Sequence, residues 1–361
     1  MAEVTIPIHI IKGRGAATRI PHRFERDVRD AYDDGWGTLE DAQNEAVRPR
    51  TEAFLEDARS VIATNDSPDI YFDYSINPYR GCEHGCIYCY ARPTHSYLNL
   101  SPGLDFETKI IAKRNIAEVL RADLAKTKYV PRLLNIGSAT DCYQPLEREL
   151  RLTRSVIEVL QEVHHPFSII TKSSGVERDV DLLAPLAREK LAAVYVTITT
   201  LDGELARRME PRAASPDRRL RTIRTMAAHS IPVGVSVAPQ IPFVNDDLEQ
   251  VLEAAWEAGA RTAFYTVIRL PWEVAPLFRQ WLDLHYPQRA SRIMARIQEM
   301  RGEKDYDSDF ASRMKGHGVW AELIQQRFEK TCHRLGFNRE RVELDLSRFR
   351  PSTLSGQCSL F

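Results

Sequence analysis

The sequence predicts an α/β protein built on a partial (β/α)6 TIM-type barrel, with an N-terminal arm and a helical C-terminal extension. Two observations predict this fold class. Six short runs rich in β-branched residues alternate with helical patterns from about residue 71 to residue 272, and strand–helix units in series form parallel sheets or barrels. A hydrophobic fraction of 43% and a charged fraction of 27% are ordinary for a globular chain with a large core.

The core elements follow from apolar periodicity. The predicted strands are YSINP (74–78), RLLNIGS (132–138), FSIITKS (167–173), AVYVTITT (193–200), PVGVSVAPQIP (232–242) and TAFYTVIRLP (262–271). The helical segments between them are KRNIAEVLRADLAK (113–126), LERELRLTRSVIEVLQEV (146–163), RDVDLLAPLAREK (178–190), DRRLRTIRTMAAH (217–229) and DDLEQVLEAAWEAG (246–259). Each strand therefore precedes a helix, which favours a parallel arrangement.

Two flanking regions differ from this pattern. Residues 1–70 are predicted to form an arm packed on the core, because KGRGAATRIPHRFERD (12–27) is basic, contains glycine and is weakly periodic. Residues 71–272 form the predicted barrel. Residues 273–361 are predicted to form a helical extension that ends in a flexible polar tail.

Composition and charge limit the classes of function. A net charge of −1 gives no overall attraction for nucleic acid, so such binding would need local patches. The sequence contains no uninterrupted run of about eighteen apolar residues, so no membrane span is expected. The first residues also lack the hydrophobic stretch of a signal peptide. Cys142, Cys332 and Cys358 are scattered singly. This spacing does not indicate a disulfide framework, and it favours a reducing, cytoplasmic location.

The strongest local signal is the segment GCEHGCIYC (81–89), which follows the first predicted strand. It places Cys82, Cys86 and Cys89 within eight residues. In barrels of this type, active sites are built from the loops after the C-terminal ends of the strands. Three thiolates on a short loop are typical of an iron–sulfur cluster. An iron without a protein thiolate would then be open to a substrate or a cofactor, as in open catalytic metal sites.

A zinc site is the alternative for the same cysteines. Structural zinc normally takes four ligands, usually arranged as two sequence pairs. No second pair is present here, although His84 and His95 could supply a fourth ligand. The cysteine spacing alone therefore leaves both kinds of metal centre open.

The pattern C-x3-C-x-φ-C, with Tyr88 as the aromatic residue φ, resembles the signature of the radical SAM superfamily. The resemblance implies a [4Fe–4S] cluster on the three cysteines, with S-adenosylmethionine (SAM) bound to the open iron. It also implies cleavage of SAM to a 5′-deoxyadenosyl radical that abstracts a substrate hydrogen. An electron donor such as flavodoxin or ferredoxin would supply the electron. The protein would supply orientation and a dry site.

Longer segments resemble the spore photoproduct lyase-like branch, whose members are often labelled DNA repair photolyases. They are INPYRGCEHGCIYCYARPTH (76–95), TKSS (171–174), TLDGELARRMEPRAASPDRRLRTI (200–223) and VAPQIPFVND (237–246). The resemblance implies a lyase-type radical SAM enzyme that acts on DNA. Two alternatives are a radical SAM enzyme acting on RNA, a peptide or a small molecule, and a non-catalytic, metal-stabilised protein that binds the sliding clamp.

The resemblance also assigns contacts to SAM by position. Tyr88 would lie near the adenine, and the end of the second strand would bind the amino and carboxylate groups. The expected contacts are Tyr88, Ser138, Thr140, Asp141, Lys172, Thr197, Thr199 and Ala238. Any of the polar residues could instead cap a strand end. Lys172 is the strongest candidate, because a lysine inside a barrel mouth is costly to desolvate without an anionic partner.

One position departs from spore photoproduct lyase proper. In that enzyme a cysteine just before the Thr/Ser–Asp pair donates hydrogen to the product radical, and here the position holds Ala139. This difference puts repair of spore photoproduct in doubt. Cys142 is a candidate for a displaced donor, although a packed core cysteine is the simpler interpretation. Tyr90 is a candidate substrate-side aromatic residue or hydrogen relay.

Seven arginines between residues 207 and 224 form a basic segment near the predicted catalytic mouth. They could follow a phosphate backbone. They could equally form a solvated helix face, with Arg212 salt-bridged to Glu210. The sequence favours neither interpretation.

The last five residues, QCSLF (357–361), resemble the peptide by which bacterial replication and repair proteins dock into the sliding clamp. Leu360 and Phe361 would be the apolar anchors, and Gln357 would hydrogen-bond a backbone. A tail packed against its own fold is the alternative. The expected partners are therefore DNA and a bacterial sliding clamp.

Overall fold

A computed structural model of the chain describes residues 8–25 and 49–354. The strands in this part are β1 (Glu52–Glu56), β2 (Ile62–Thr64), β3 (Tyr74–Ile76), β4 (Tyr79–Arg80), β5 (Lys109–Lys113), β6 (Leu134–Ile136), β7 (Phe167–Thr171), β8 (Ala192–Thr197), β9 (Val233–Gln240) and β10 (Thr262–Val267). The six predicted strands are all present as β3 and β6 to β10.

Seven strands form the main sheet, in the order β10-β9-β8-β7-β6-β3-β2. The six predicted strands are parallel to their neighbours, whereas β2 pairs antiparallel with β3 at one edge. Because β10 and β2 are the two edges, the barrel is partial and does not close. The predicted α/β class and partial barrel are therefore confirmed.

Helices cover this sheet. They are α1 (Leu104–Thr108), α2 (Ile116–Leu124), α3 (Glu147–Leu150), α4 (Leu152–Glu162), α5 (Val180–Arg188), α6 (Gly203–Met209), α7 (Pro216–Ala228), α8 (Leu248–Glu257), α9 (Val274–His285), α10 (Ala290–Glu299) and α11 (Val319–Leu335). Short 3-10 helices span Arg92–Leu98, Ser174–Asp179, Leu346–Arg348 and Pro351–Leu354. The predicted helical segment 146–163 is divided into α3 and α4, because Arg151 has a left-handed backbone with φ of 52°.

The core lies between the sheet and these helices. Strand β8 is buried along most of its length, and Val194 and Val196 are fully inaccessible to solvent. This continuous burial explains why the strand sequence is apolar rather than alternating. Helix α7 is capped at its N-terminus by Ser215, whose side chain accepts a hydrogen bond from the Arg218 backbone N–H, and Pro216 is its first residue.

A second sheet, in the order β1-β5-β4, was not predicted. Strand β1 is mostly exposed, so its sequence carries no clear apolar pattern. This sheet joins the residues before the barrel to β4, which leads directly into Cys82. Within the described ranges, no helix has the length and apolar composition needed to cross a membrane.

Candidate active site

The cysteine loop lies between β4 and the 3-10 helix Arg92–Leu98. Cys82 and Cys86 are buried and Cys89 is partly buried, and all three are free thiols. The loop is shaped by local hydrogen bonds, in which the Gly85 N–H donates to the Cys82 carbonyl and the Cys89 N–H donates to the Cys86 carbonyl. All three cysteines line one cavity of about 630 Å³ at the C-terminal ends of the parallel strands.

Most of the predicted site residues line this same cavity. They are Tyr88, Tyr90, Ser138, Thr140, Asp141, Lys172, Thr197 and Ala238. Thr199 lies behind the wall, where its hydroxyl donates to the Glu210 carboxylate at 2.6 Å, and the Ala238 carbonyl is a second acceptor within reach at 3.1 Å. Cys142 is fully buried in the hydrophobic core outside the cavity. No contact supports its predicted role as a hydrogen donor.

Asp141 connects the cysteine loop to two strand ends. Its carboxylate accepts hydrogen bonds from the Thr171 hydroxyl and the Lys172 backbone N–H, each at 2.7 Å. His84, which lies between the first two cysteines, is 3.3 Å from the same carboxylate. Burial would raise the pKa of Asp141, but His84 and these donors together hold it well below its ordinary value. Asp141 is therefore ionised, and protein donors already occupy it.

A buried polar network lies behind Tyr88 and was not predicted. The Tyr88 hydroxyl donates to Glu210, which is also paired with the fully buried Arg219. Burial would raise the pKa of Glu210, but Arg219 and Lys172 lower it below its ordinary value. The Lys172 ammonium lies 5.8 Å from the centre of the Tyr88 ring. Burial opposes the charge on Lys172, yet the negative groups nearby raise its pKa, so it is a cation at the cavity wall.

Part of the basic segment 207–224 is paired within the protein. One of the two interpretations paired Arg212 with Glu210, but Arg212 pairs with Glu83 at 3.0 Å and Glu210 pairs with Arg219. Arg218 pairs with Glu177 at 2.5 Å. None of the seven arginines is among the residues that line the cavity. The segment therefore contributes no arginine to the cavity wall.

Positive charge instead lies at the mouth of the cavity, on residues that were not predicted. Arg269 follows β10, and the segment before α11 contributes Tyr306, Arg313 and Lys315 to the lining. Arg313 is held by Asp69, whose two carboxylate oxygens accept hydrogen bonds at 2.5 and 2.6 Å. Within the described part of the chain, Arg269 forms no ion pair, and its guanidinium lies over the Tyr90 ring.

A neighbouring arginine, Arg301, adds to the positive charge near Arg269. Arg301 is buried and donates hydrogen bonds to the carbonyls of Ile268 at 2.6 Å and Ser312 at 3.0 Å. Burial, together with the positive charge of Arg269, lowers the pKa of Arg301 to about 10. An anionic ligand would relieve this repulsion.

The cysteine thiols suit an iron–sulfur cluster. Such a cluster distributes its thiolate ligands over several irons. Three free thiols on a common cavity, beside the cation of Lys172, provide ligands of this kind.

Comparison with known proteins agrees with this geometry. The radical SAM superfamily model matches residues 76–255, which include the cysteine loop. An uncharacterized protein of Methanocaldococcus jannaschii is 30% identical over 217 residues, which are 60% of this chain and 77% of that protein. This chain belongs to the radical SAM superfamily. Enzymes of this superfamily generally use a [4Fe–4S] cluster and SAM.

Two other comparisons concern a bacterial relative and a solved structure. An uncharacterized protein of Mycobacterium tuberculosis is 36% identical over 224 residues, or 61% of this chain. The chain spans 66% of that relative, slightly less than two thirds of its length. A cysteine-to-alanine mutant of spore photoproduct lyase, solved with dinucleoside spore photoproduct, has a TM-score of 0.53 and 14% identity over 86% of each chain. This last likeness shows a shared fold.

Proposed function

We propose that this protein is a radical SAM enzyme that holds a [4Fe–4S] cluster through Cys82, Cys86 and Cys89 and acts on DNA in a repair-type reaction. The observation that carries the proposal is that three free thiols line one cavity together with Lys172. When bound, the cluster and SAM supply reductive cleavage of SAM and removal of a hydrogen atom from the substrate. The chain itself supplies binding, orientation and a site shielded from water.

The polar residues of the cavity divide into two roles. Lys172 is placed to bind the SAM carboxylate, because it is a cation at the cavity wall with no carboxylate within ion-pair distance among the described residues. Asp141 instead positions the cysteine loop, since His84, Thr171 and the Lys172 backbone already engage its oxygens. Ser138 and Thr140 line the cavity beside it and are proposed contacts of SAM.

The second group of proposed contacts lies along the strands. Thr197 and Ala238 line the cavity, and they are proposed to face the methionyl or adenosyl part of SAM. Tyr88 is proposed to lie against the adenine, and Glu210 fixes the direction of its hydroxyl. Thr199 acts through that network, because it touches Glu210 and does not line the cavity.

Two observations support DNA as the substrate class. A structure with the same fold, a spore photoproduct lyase mutant, contains bound AdoMet and dinucleoside spore photoproduct. The cavity mouth here carries Arg269 and Lys315, which suit a phosphate-bearing ligand, beside Arg313, which is paired with Asp69. The lesion is proposed to differ from spore photoproduct, because Ala139 lines the cavity where the hydrogen-donating cysteine is expected and Cys142 lies outside it.

Two further proposals concern recruitment and location. Gln357, Leu360 and Phe361 lie outside the described residues, and we propose that they bind a bacterial sliding clamp. A cytoplasmic location is proposed because the described cysteines are all free thiols, as expected in a reducing compartment. A flavodoxin or ferredoxin is the proposed electron donor.

Product analysis tests the proposed reaction. The anaerobically reconstituted protein, reduced with dithionite, is incubated with SAM and a panel of lesion-bearing oligonucleotides. At least one DNA substrate should change in mass, and it should increase the yield of 5′-deoxyadenosine above the substrate-free level. If DNA is inert while RNA or a peptide is converted, the radical SAM assignment stands and the proposed substrate class is wrong.

A further inference from the structure

The N-terminal arm contacts the cysteine loop through a buried chain of hydrogen bonds. The backbone N–H groups of Gly15 and Ala16 donate to the two carboxylate oxygens of Glu107 at 2.9 and 2.8 Å. The Arg14 guanidinium donates to the Glu107 carbonyl at 2.8 Å. Glu107 and Ala16 are almost completely buried. Three consecutive arm residues therefore converge on Glu107, two on its carboxylate and one on its backbone carbonyl, across 91 to 93 positions of the chain.

Glu107 in turn holds Arg92, which holds the cysteine loop. Their ion pair is 2.5 Å long, and both side chains are completely inaccessible to solvent. The Arg92 guanidinium also donates to the carbonyls of Cys86 at 2.9 Å and Gly85 at 3.1 Å. Buried charged groups that are fully hydrogen-bonded hold their partners firmly, since breaking one contact leaves an uncompensated charge. The backbone on either side of the second thiol is thus fixed by Arg92.

The arm also touches the loop directly. A Cβ atom added to Gly15 would lie 1.8 Å from the Gly85 carbonyl oxygen, so the two backbones approach as closely as glycine allows. Gly85 has a φ of 67°, and a Cβ atom there would meet the Glu107 carboxylate at 2.7 Å. Ala16 packs in the same apolar cluster as Cys86 and Tyr88. Arm and loop can therefore share this space only with glycine at both positions.

We propose that residues 14–16 are a positioning element of the cluster site, which acts through Glu107 and Arg92 on the loop of Cys82 and Cys86. The inference rests on the proposed cluster. These arm residues lie outside the segment that matches the superfamily model, residues 76–255. The arm packs against the cysteine loop at Gly85, and in this proposal it sets how firmly the loop retains iron.

A matched pair of glycine variants tests the proposal. Gly15→Ala forces the arm away from Gly85, whereas Gly203→Ala adds a methyl group that meets nothing within 4 Å. Arg14→Ala is a milder variant that removes only side-chain contacts. In reconstituted full-length protein, we expect Gly15→Ala to release iron to a chelator about tenfold faster than wild type, the factor for one lost charge-assisted contact. Gly203→Ala should release iron at the wild-type rate.

Readouts on the apoprotein separate positioning from general destabilisation. Alkylation of Cys86 and hydrogen exchange of residues 81–89 should accelerate in Gly15→Ala and in Arg14→Ala, while exchange in β8 stays unchanged. In the loaded protein, Glu107→Gln should shift the cluster reduction potential upwards, because Arg92 loses its counter-charge. Uniformly faster exchange, or unchanged iron release and alkylation, would overturn the proposal. If wild type binds no iron at all, the proposed function fails, and the apoprotein readouts still decide the role of the arm.

Discussion

The guanidinium carbon of Arg269 lies 4.6 Å from the centre of the Tyr90 ring. Tyr90 directly follows Cys89, the third cysteine of the loop. The pair brings the end of β10 against the cysteine loop, although the two residues are far apart in the sequence. Arg269 lines the cavity and forms no ion pair among the described residues. We therefore propose that Arg269 binds an anionic group of the substrate.

Arg269→Gln should reduce the affinity for a single-stranded oligonucleotide by roughly 10- to 150-fold, since a charge-assisted hydrogen bond contributes ~1.5–3 kcal/mol. Fluorescence anisotropy at one fixed salt concentration measures this change, because phosphate contacts depend strongly on salt. Arg261→Gln is the matched control, since Arg261 stacks on Trp256 at 4.2 Å and does not line the cavity. Equal affinities of wild type and Arg269→Gln would show that Arg269 does not bind the substrate.

Lys172→Ala should weaken SAM binding and leave iron content unchanged. The substitution removes the cation at the cavity wall, so the expected loss is ~1.5–3 kcal/mol of binding free energy. Calorimetric titration of the cluster-loaded protein with SAM measures it, and Lys330→Ala on the exposed surface of α11 is the control. An unchanged SAM affinity would mean that another group binds the carboxylate.

Asp69→Asn should strengthen the binding of oligonucleotides, because it removes the carboxylate that neutralises Arg313 at the cavity mouth.

Arg313 lowers the pKa of Asp69 below its ordinary value of 3.8. A carboxylate whose pKa is lowered in the folded state contributes its full stabilisation at pH values above its pKa in the unfolded state. This contribution is lost as the pH falls through its pKa in the folded state. Wild type and Asp69→Asn should therefore differ in thermal stability at pH 6 and converge in strong acid.

Leu360→Ala combined with Phe361→Ala should abolish binding to a bacterial sliding clamp while iron content and SAM cleavage persist. Short peptide motifs lose conformational entropy on binding, so the wild-type affinity should be roughly micromolar. A few buried anchors usually dominate such interfaces, which explains the large effect of two residues. If the double variant unfolds or loses iron, the tail is part of the folded core. Persistent clamp binding would place the contact elsewhere in the chain.

Much of the fold could be predicted because the parallel strands are buried and apolar. Runs such as AVYVTITT have few structural alternatives, and all six predicted strands are present. The grouping of the cavity residues could also be predicted, because the C-terminal ends of parallel strands meet at one edge. Ser138, Lys172 and Ala238 lie on different strands or loops and still line one cavity.

The remaining site residues depend on contacts that sequence proximity does not reveal. One interpretation of the basic segment paired Glu210 with Arg212, two positions away, but the fold brings Arg219 of α7 against it. Asp69 and Arg313 are separated by 244 positions, and no local pattern marks either residue. Glu107 and Arg92 are buried charges, which sequence periodicity assigns to the surface because isolated charged residues are rarely buried.

Iron and sulfide analysis of the anaerobically reconstituted protein tests the central claim most directly. We expect about four irons and four sulfides per chain, as three thiolates on an open cluster imply. Alanine at Cys82, Cys86 or Cys89 should abolish iron binding, whereas alanine at Cys142, Cys332 or Cys358 should leave it intact. Stoichiometric zinc without iron, or iron that survives loss of any cysteine in the loop, would contradict the account.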